Sequence, residues 1–480
     1  MGCGWVAEVW VDVFPTVNMN ESYDVIVLGT GLTECILAGL LSAHGKRVLH
    51  IDRNNFYGGE SASVNLNNLF KLFRPGQAPP EHYGPSREWN VDLVPKFTMA
   101  NGKLVKVILH TVTVANNLEW KCVDGTYVMQ VSKGGMFSSA HAQIHKVPAT
   151  DSEALRSSLM GLWEKKRCKK FFTFGANYDP ANRATWGDLD LTRVPFSALV
   201  AKFSLEQNTV DFIGHAIALY EDESFMSVPS HEILMRIKLY MDSAGLYGNS
   251  PFIYPVYGIG GIPEGFSRLC AIYGGVYMLD KPVDEIVFDA EGKVTGIRSG
   301  EETAQCKMLL CDPSYVLSIG KVRPSGKVVR AICILNHPIP NTDNCQSCQI
   351  IIPQRQTGRQ HDIYVGVMST AHCVCSQGYY LAICSTTVET ATPEAELQPA
   401  LELLGQTMDI FVKVYDTYEP VADGRADNVF ISKSFDPTSH FETAVDDMLS
   451  LYERVMGEPL NYEEPLKPFV QQEPPAADSS

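Results

Sequence analysis

Gly29 and Gly31, followed by Glu34 and, eighteen residues on, Asp52, are the residues of this chain whose spacing most directly suggests chemistry. A dinucleotide fingerprint places three small residues in G-x-G-x-x-G at a strand-to-helix turn, then an acid after the next strand to receive the ribose. Here the first two glycines and the acid are in place, but Glu34 stands at the third position. A carboxylate there suits the positive end of a helix and repels a phosphate competing for the same amides. The pattern points to a dinucleotide-binding fold with incomplete cofactor equipment.

The elements that must position these residues are legible around them. The run Tyr23-Asp24-Val25-Ile26-Val27-Leu28 reads as a buried strand, residues 35–41 follow helical spacing, and Arg47-Val48-Leu49-His50-Ile51-Asp52 reads as a second strand. Strand, Gly-rich turn, helix and strand within about thirty residues make a right-handed βαβ unit. Residues 154–244 change to helical periods: Leu155, Leu159, Leu162 and Trp163 share one face, Val210, Ile213, Ile217 and Tyr220 a second, Ile233, Ile237 and Tyr240 a third. Beyond Pro251 the chain reads as strands over residues 287–297, 328–335, 350–353, 363–368 and 380–385, closed by helices over 393–404 and 440–456. The expected fold is α/β, a flavoprotein-like multi-sheet body of FAD/NAD-binding βαβ type with an inserted all-helical domain. Its boundaries are an extension over 1–18, a discontinuous domain I over 19–147 and 247–460, a helical domain II over 148–246 and a flexible tail over 461–480.

Composition narrows the function. The 480 residues are 45% hydrophobic and 20% charged, which supports a packed core. Thirty-nine Lys and Arg against fifty-five Asp and Glu give a net charge of −16, a sign that repels phosphate backbones and excludes nucleic acid as a natural partner. No run reaches eighteen uninterrupted apolar residues, so a transmembrane helix is not expected. The thirteen cysteines are odd in number and sit mostly in apolar runs, as buried thiols of a reduced compartment do. Cys345 and Cys348, with His372, Cys373 and Cys375, are too irregularly spaced for a zinc site. Residues 1–18 lack the basic start of a signal peptide, and Met19 reads as the natural start. P-loop, nucleophile-elbow, HExxH and kinase signatures are missing. So is the late Gly-Asp motif by which flavin enzymes of this shape hold the ribityl chain; its nearest counterpart, Cys311-Asp312-Pro313, lacks the glycine.

Leu28-Gly29-Thr30-Gly31-Leu32-Thr33-Glu34, Tyr57-Gly58-Gly59-Glu60-Ser61, Trp89-Asn90-Val91-Asp92-Leu93-Val94-Pro95-Lys96-Phe97, Gly265-Phe266-Ser267-Arg268-Leu269, Cys311-Asp312-Pro313-Ser314-Tyr315 and His440-Phe441-Glu442-Thr443 together resemble the Rab GDP-dissociation inhibitors, along nearly the whole chain. The resemblance implies a carrier without catalytic residues, cofactor or metal. Such a protein binds GDP-bound, geranylgeranylated Rab GTPases, slows GDP release, extracts them from membranes and returns them through the cytosol as a monomer in transient membrane contact. It implies a Rab-binding platform at Tyr57, Arg87, Arg268 and Met278, with Tyr277 adjacent, and a mobile loop at Leu246, Tyr247 and Ser250. It also implies a prenyl pocket in the helical insertion, for which Leu155, Leu159, Leu162, Phe212, Ile213, Ile217 and Ile237 are the candidates; as a set they offer an apolar slot, and singly each is an ordinary core residue. Three positions depart from the family pattern: Gly261 where an acid is usual, Val276 where Thr is frequent, and Leu246 in place of an arginine. The competing readings are a flavin-dependent oxidoreductase of amine-oxidase-like fold, against which Glu34 and the absent late motif speak, and a Rab escort protein acting in prenylation.

Overall fold

The computed structural model describes residues 19, 21–132, 141–148, 153, 161–248 and 250–466. Strand β1 (Ser22–Leu28), helix α1 (Leu32–Ala43) and strand β2 (Val48–Ile51) form the expected βαβ unit, with β1 and β2 parallel from Val25↔Val48 to Leu28↔Ile51. The β-branched run of β1 is buried almost throughout because both of its sheet faces are covered. On its other side β1 pairs in parallel with Glu302–Cys311, ending at Leu28↔Cys311. Val276–Met278 joins the outer edge of β2, and Val429–Ile431 pairs with Glu302–Cys311, completing a seven-stranded sheet with two further antiparallel strands.

Those two strands correct the sequence reading. Residues 287–297 are not one strand but the antiparallel pair Glu285–Phe288 and Val294–Ser299. Gly292 turns the chain at φ +81, and the Asp289 carboxylate accepts the backbone N–H groups of Glu291 and Lys293. A second seven-stranded sheet runs in the order Asp409–Pro420, Val322–Leu335, Tyr380–Thr387, Ile363–Ser369, Cys348–Ile352, Gly125–Ser132, His141–Lys146. It is antiparallel except between the first-arriving strand, Gly125–Ser132, and Cys348–Ile352.

Several elements lacked a sequence expectation, among them the strand Asp409–Pro420 and the helix Gly261–Ile272. Asp409–Pro420 is an edge strand whose side chains are mostly half-exposed, which weakens its apolar alternation. The helix Gly261–Ile272 opens with Gly261, Pro263 and Gly265, poor helix formers, and forms because its buried face packs on α1. The approach is close: a Cβ at Gly39 of α1 would stand 2.9 Å from the Phe266 carbonyl oxygen.

Between His141–Lys146 and the strand Phe252–Pro255 lies a helical run that includes Leu162–Asn177, Phe196–Phe203, the π-helical turn Phe212–Ile217 and Ser230–Ser243. Ile233, Ile237 and Tyr240 bury one stripe as their spacing predicts, while Trp163, expected on a buried face, is 74% exposed. The run is tied to the second sheet by His215, which lies 2.8 Å from Asp362 with both side chains fully buried. Against the penalty of burial, the Asp362 charge raises the His215 imidazole to about 10, so it is held as a cation. Nearby, fully buried Lys96 donates to Asp436 (2.6 Å) and to the Thr438 carbonyl (2.7 Å), closing the C-terminal segment onto Phe97.

Candidate functional site

The glycine loop that opens α1 is closed by the protein's own side chains. Asp52, buried at the end of β2, accepts from Thr30 N (2.6 Å), Thr30 Oγ1 (2.6 Å), Asn54 N (2.7 Å) and Asn54 Nδ2 (2.9 Å), so the acid placed for a ribose is fully used within the fold. Gly29 has φ +96, a backbone conformation that requires glycine, and a Cβ there would run into the Asp312 carboxylate. A Cβ at Gly31 would run into the Glu34 carboxylate, which turns back over the loop while accepting from Ser432 Oγ (2.6 Å). The Leu32 N–H at the helix start is directed to Ser61 Oγ (3.4 Å).

Two carboxyls thus cover the two glycines that a pyrophosphate would approach. Burial, and then the Asp312 charge, push Glu34 up to about 8, so it is largely protonated at neutral pH. Asp312 is likewise raised, by burial first. Beyond them a cavity of about 450 Å³ runs out past Tyr315 and Tyr415 to the exposed cations Arg53, Lys413 and Lys433. The residues present do not fit an anionic dinucleotide. Among the described residues no group of three His, Cys, Asp or Glu side chains is arranged to hold a metal ion. The Cys345 sulfur meets the Tyr127 hydroxyl (3.1 Å) and Cys375 donates to the Tyr379 carbonyl, as structural thiols do.

Across α1 lies a surface of opposite character. The helix Gly261–Ile272 leaves Glu264, Arg268 and Ala271 exposed on one side. Tyr57 stands beside it, its ring edge-to-face with Tyr277 at 6.0 Å; Tyr277 in turn packs on His50 at 4.5 Å. Burial raises the Tyr57 phenol, with smaller contributions from the Cys35 thiol and the Glu264 carboxylate, which places Glu264 within electrostatic reach of Tyr57. Tyr277 is drawn further in, and burial raises its phenol well above the ordinary value. Met278 is half-buried, its backbone paired with Ile51.

The structure therefore brings Tyr57, Arg268 and Tyr277 to one side of β2 beside the Gly261–Ile272 helix, while Met278, next on the edge strand, packs against the opposite side of the sheet. Arg87 belongs to a separate turn, Ser86–Glu88, exposed and joined to none of the other four by a hydrogen bond or ion pair. Leu246 and Tyr247 are 51% and 64% exposed, whereas Ser250 is buried and accepts from Phe252 N (3.2 Å). Of the pocket candidates, Phe212, Ile213, Ile217 and Ile237 are buried together in the main core. Leu162 begins its helix, and Leu155 and Leu159 lie outside the described residues. Sequence reasoning missed Ser432 and the capping role of Asp312, which only the fold brings to Glu34; it also passed over Glu264, four residues before Arg268.

The model of the GDP dissociation inhibitor family matches residues 19–467. A probable secretory pathway GDP dissociation inhibitor 1 of Schizosaccharomyces pombe is 52% identical over 439 residues, 92% of this chain and 97% of that protein. The crystal structure of a Rab GDI from Plasmodium falciparum superimposes with a TM-score of 0.88 at 50% identity, over 92% of this chain and 100% of the other. An oxidoreductase from Methanosarcina mazei shares the fold, with a TM-score of 0.57 at 14% identity over 90% of this chain and 100% of its own.

Proposed function

The chain belongs to the GDP dissociation inhibitor family, and we propose that it works on Rab GTPases in their GDP-bound, geranylgeranylated form, slowing GDP release, extracting them from membranes and carrying them as a monomer through the cytosol. The observation that carries this reading is the pairing of an emptied function with an open surface. The nucleotide loop is sealed by Glu34, Asp52 and Asp312, while on the adjoining face Arg268 is exposed and Tyr57, packed on Tyr277, is half-exposed beside it. The family is regulatory and non-catalytic, and a sealed loop suits a carrier.

Arg268 offers a planar, bidentate donor to carboxylate or carbonyl groups of a GTPase switch region, and Tyr57 a rigid amphipathic contact of the kind that concentrates binding energy. Met278 lies at the same edge; Arg87 would meet the partner from its separate turn. The exposed pair Leu246 and Tyr247 extends the contact toward the helical run.

A prenyl chain gains about 0.8 kcal/mol for each CH₂ it buries, so extraction needs an apolar slot that competes with the bilayer. Phe212, Ile213, Ile217 and Ile237 supply apolar packing between the π-helical turn and the Ser230–Ser243 helix, where a parting of helices would admit the chain. No described helix is long and apolar enough to cross a membrane. The membrane contact proposed here is peripheral and transient.

The test is extraction of a GDP-loaded, geranylgeranylated Rab from liposomes, compared with the same Rab loaded with GTP. Extraction of the GDP form alone is expected. Failure with both, or flavin absorbance from the purified protein, would overturn the reading.

A further inference from the structure

The helix Leu162–Asn177 has two faces of opposite character. At about 100° per residue, Glu164, Cys168, Phe171 and Gly175 fall on one arc, and all four are buried. The opposite arc holds Trp163, Lys166, Lys169, Lys170 and Thr173, and all five are exposed, Trp163 by 74%. Trp163, Lys166 and Lys170 follow one another at i, i+3 and i+7, a single stripe along that outer face.

The acids beside this face are already used. Glu164 accepts from Arg167 Nε (2.6 Å) and from Glu206 N (2.9 Å), and the Glu206 carboxylate in turn accepts from Arg167. Arg167 thus belongs to the fold, whereas Lys166, Lys169 and Lys170 make no ion pair or side-chain hydrogen bond among the described residues. Three uncompensated cations on one helix face are a local reversal of sign in a chain of net charge −16. A lysine keeps its stem along apolar surface and its ammonium in water, and an indole favours the layer where hydrocarbon meets headgroups. Such cations around an exposed Trp are complementary to a bilayer surface that carries anionic headgroups.

The inner side of the same helix packs on Phe196–Phe203 and Ser230–Ser243, the second of which carries the pocket candidate Ile237. Phe171 meets Phe196 and Phe203 with ring centroids 6.0 and 5.5 Å apart. The cationic face is therefore the outer skin of the apolar layer that would receive a prenyl chain. We propose that Trp163, Lys166, Lys169 and Lys170 form an adsorption face for bilayers rich in anionic phospholipid, setting the helical run against the membrane while the prenyl chain changes hosts. The inference rests on the carrier reading above and adds where the chain touches the membrane and which lipid charge it meets. The acidic remainder of the chain is repelled by the same surface, which orients the contact and keeps it brief.

The experiment measures sedimentation of the Rab-free full chain with phosphatidylcholine vesicles, with and without phosphatidylserine, at low and high salt, and Rab extraction from the same vesicles. The variants are Trp163→Ala and the triple variant Lys166→Gln/Lys169→Gln/Lys170→Gln. The wild-type chain should bind the phosphatidylserine vesicles selectively and leave them at high salt, with a blue shift of tryptophan emission that Trp163→Ala removes. The triple variant should bind them about a hundredfold more weakly, at an unchanged melting temperature. It should extract GDP-loaded, geranylgeranylated Rab more slowly from those vesicles only. No binding to either vesicle, equal binding to both, or equal binding by wild type and triple variant overturns this inference, and leaves the carrier reading standing where extraction proceeds. Extraction that fails from every vesicle while selective adsorption persists overturns the carrier reading instead. Weaker binding of the triple variant to Rab in solution, without vesicles, would assign the face to an acidic protein surface and overturn the inference.

Discussion

The loop at the start of α1 and the helix Gly261–Ile272 lie on either side of the same segment, yet treat their polar groups in opposite ways. In the loop every acid is spent inward: Asp52 on Thr30 and Asn54, Glu34 on Ser432, Asp312 on the Ser314 N–H (2.8 Å). On the helix, Glu264 and Arg268 are exposed and, among the described residues, make no ion pair or side-chain hydrogen bond. Polar groups satisfied internally contribute to stability, and polar groups left open are available to a partner. The difference separates a site retained as architecture from a surface retained for binding, and it predicts that substitutions in the two regions will register in different assays.

The largest effect should come from breaking the inward side. Asp52→Ala strips the acceptor from the buried Thr30 N–H and from the partly buried Asn54 N–H, and should cost about 3 kcal/mol of stability. A fall in urea midpoint without loss of Rab affinity in the folded protein is the expected result. Lost affinity at unchanged stability would erase the distinction between the regions. The outward side should give the reverse pattern. Arg268→Ala and Tyr57→Ala should each weaken Rab binding by about 1–3 kcal/mol, read by titration with GDP-loaded prenylated Rab, with melting temperatures held. A folded double variant of undiminished affinity would remove the platform assignment.

A third region shows where the boundary between the two behaviours falls. Ile217 is buried in the helical run, so an internal role and a lipid-facing role coincide in one side chain. Ile217→Trp overpacks that core at a cost of about 1–3 kcal/mol. It should impair extraction from liposomes more than binding of the unprenylated Rab surface. Equal losses in both assays would make the helical run structural only.

How much of this was legible in the sequence depended on the range of the interaction. The βαβ unit was readable because β1, α1 and β2 are local and strongly patterned: the apolar run 23–28, the glycines of the turn and the acid at 52 sit within one supersecondary unit. The Glu34 departure was equally local, and its consequence for a phosphate followed from electrostatics alone. What closes the loop was not readable, because Ser432 lies 398 residues from Glu34 and Asp312 arrives on a strand whose pairing with β1 is a tertiary fact. The Gly261–Ile272 helix escaped for another reason: its own residues resist helix formation, and only packing across Gly39 overrides them. The strand over 287–297 was misjudged because its polar centre, Asp289 to Lys293, is a turn between two short strands. Tyr57, Arg268, Tyr277 and Met278 were named through family resemblance; the β2 pairing with Val276–Met278 brings Tyr277 to the Tyr57 side of the sheet, while Met278, the next residue, packs on the opposite side.

The smallest effect is the one that tests why the loop is closed. The unfolded chain titrates Glu34 near 4.5, whereas in the fold burial and the Asp312 charge move it to about 8. A raised carboxyl favours the fold in its protonated form. Its contribution is therefore complete below about pH 4.5 and is lost progressively as the pH climbs toward 8. Glu34→Gln keeps an acceptor for Ser432 and removes the ionisation. The variant should match the wild type in stability near pH 4.5 and exceed it progressively as the pH climbs toward 8. Rab affinity should not change at either pH, because the carboxyl faces inward. A stability gap that stays constant across this range would mean that Glu34 is ionised in the fold. The loop would then be held by a buried negative charge, and the cations at the cavity mouth, Arg53, Lys413 and Lys433, would have to be what balances it.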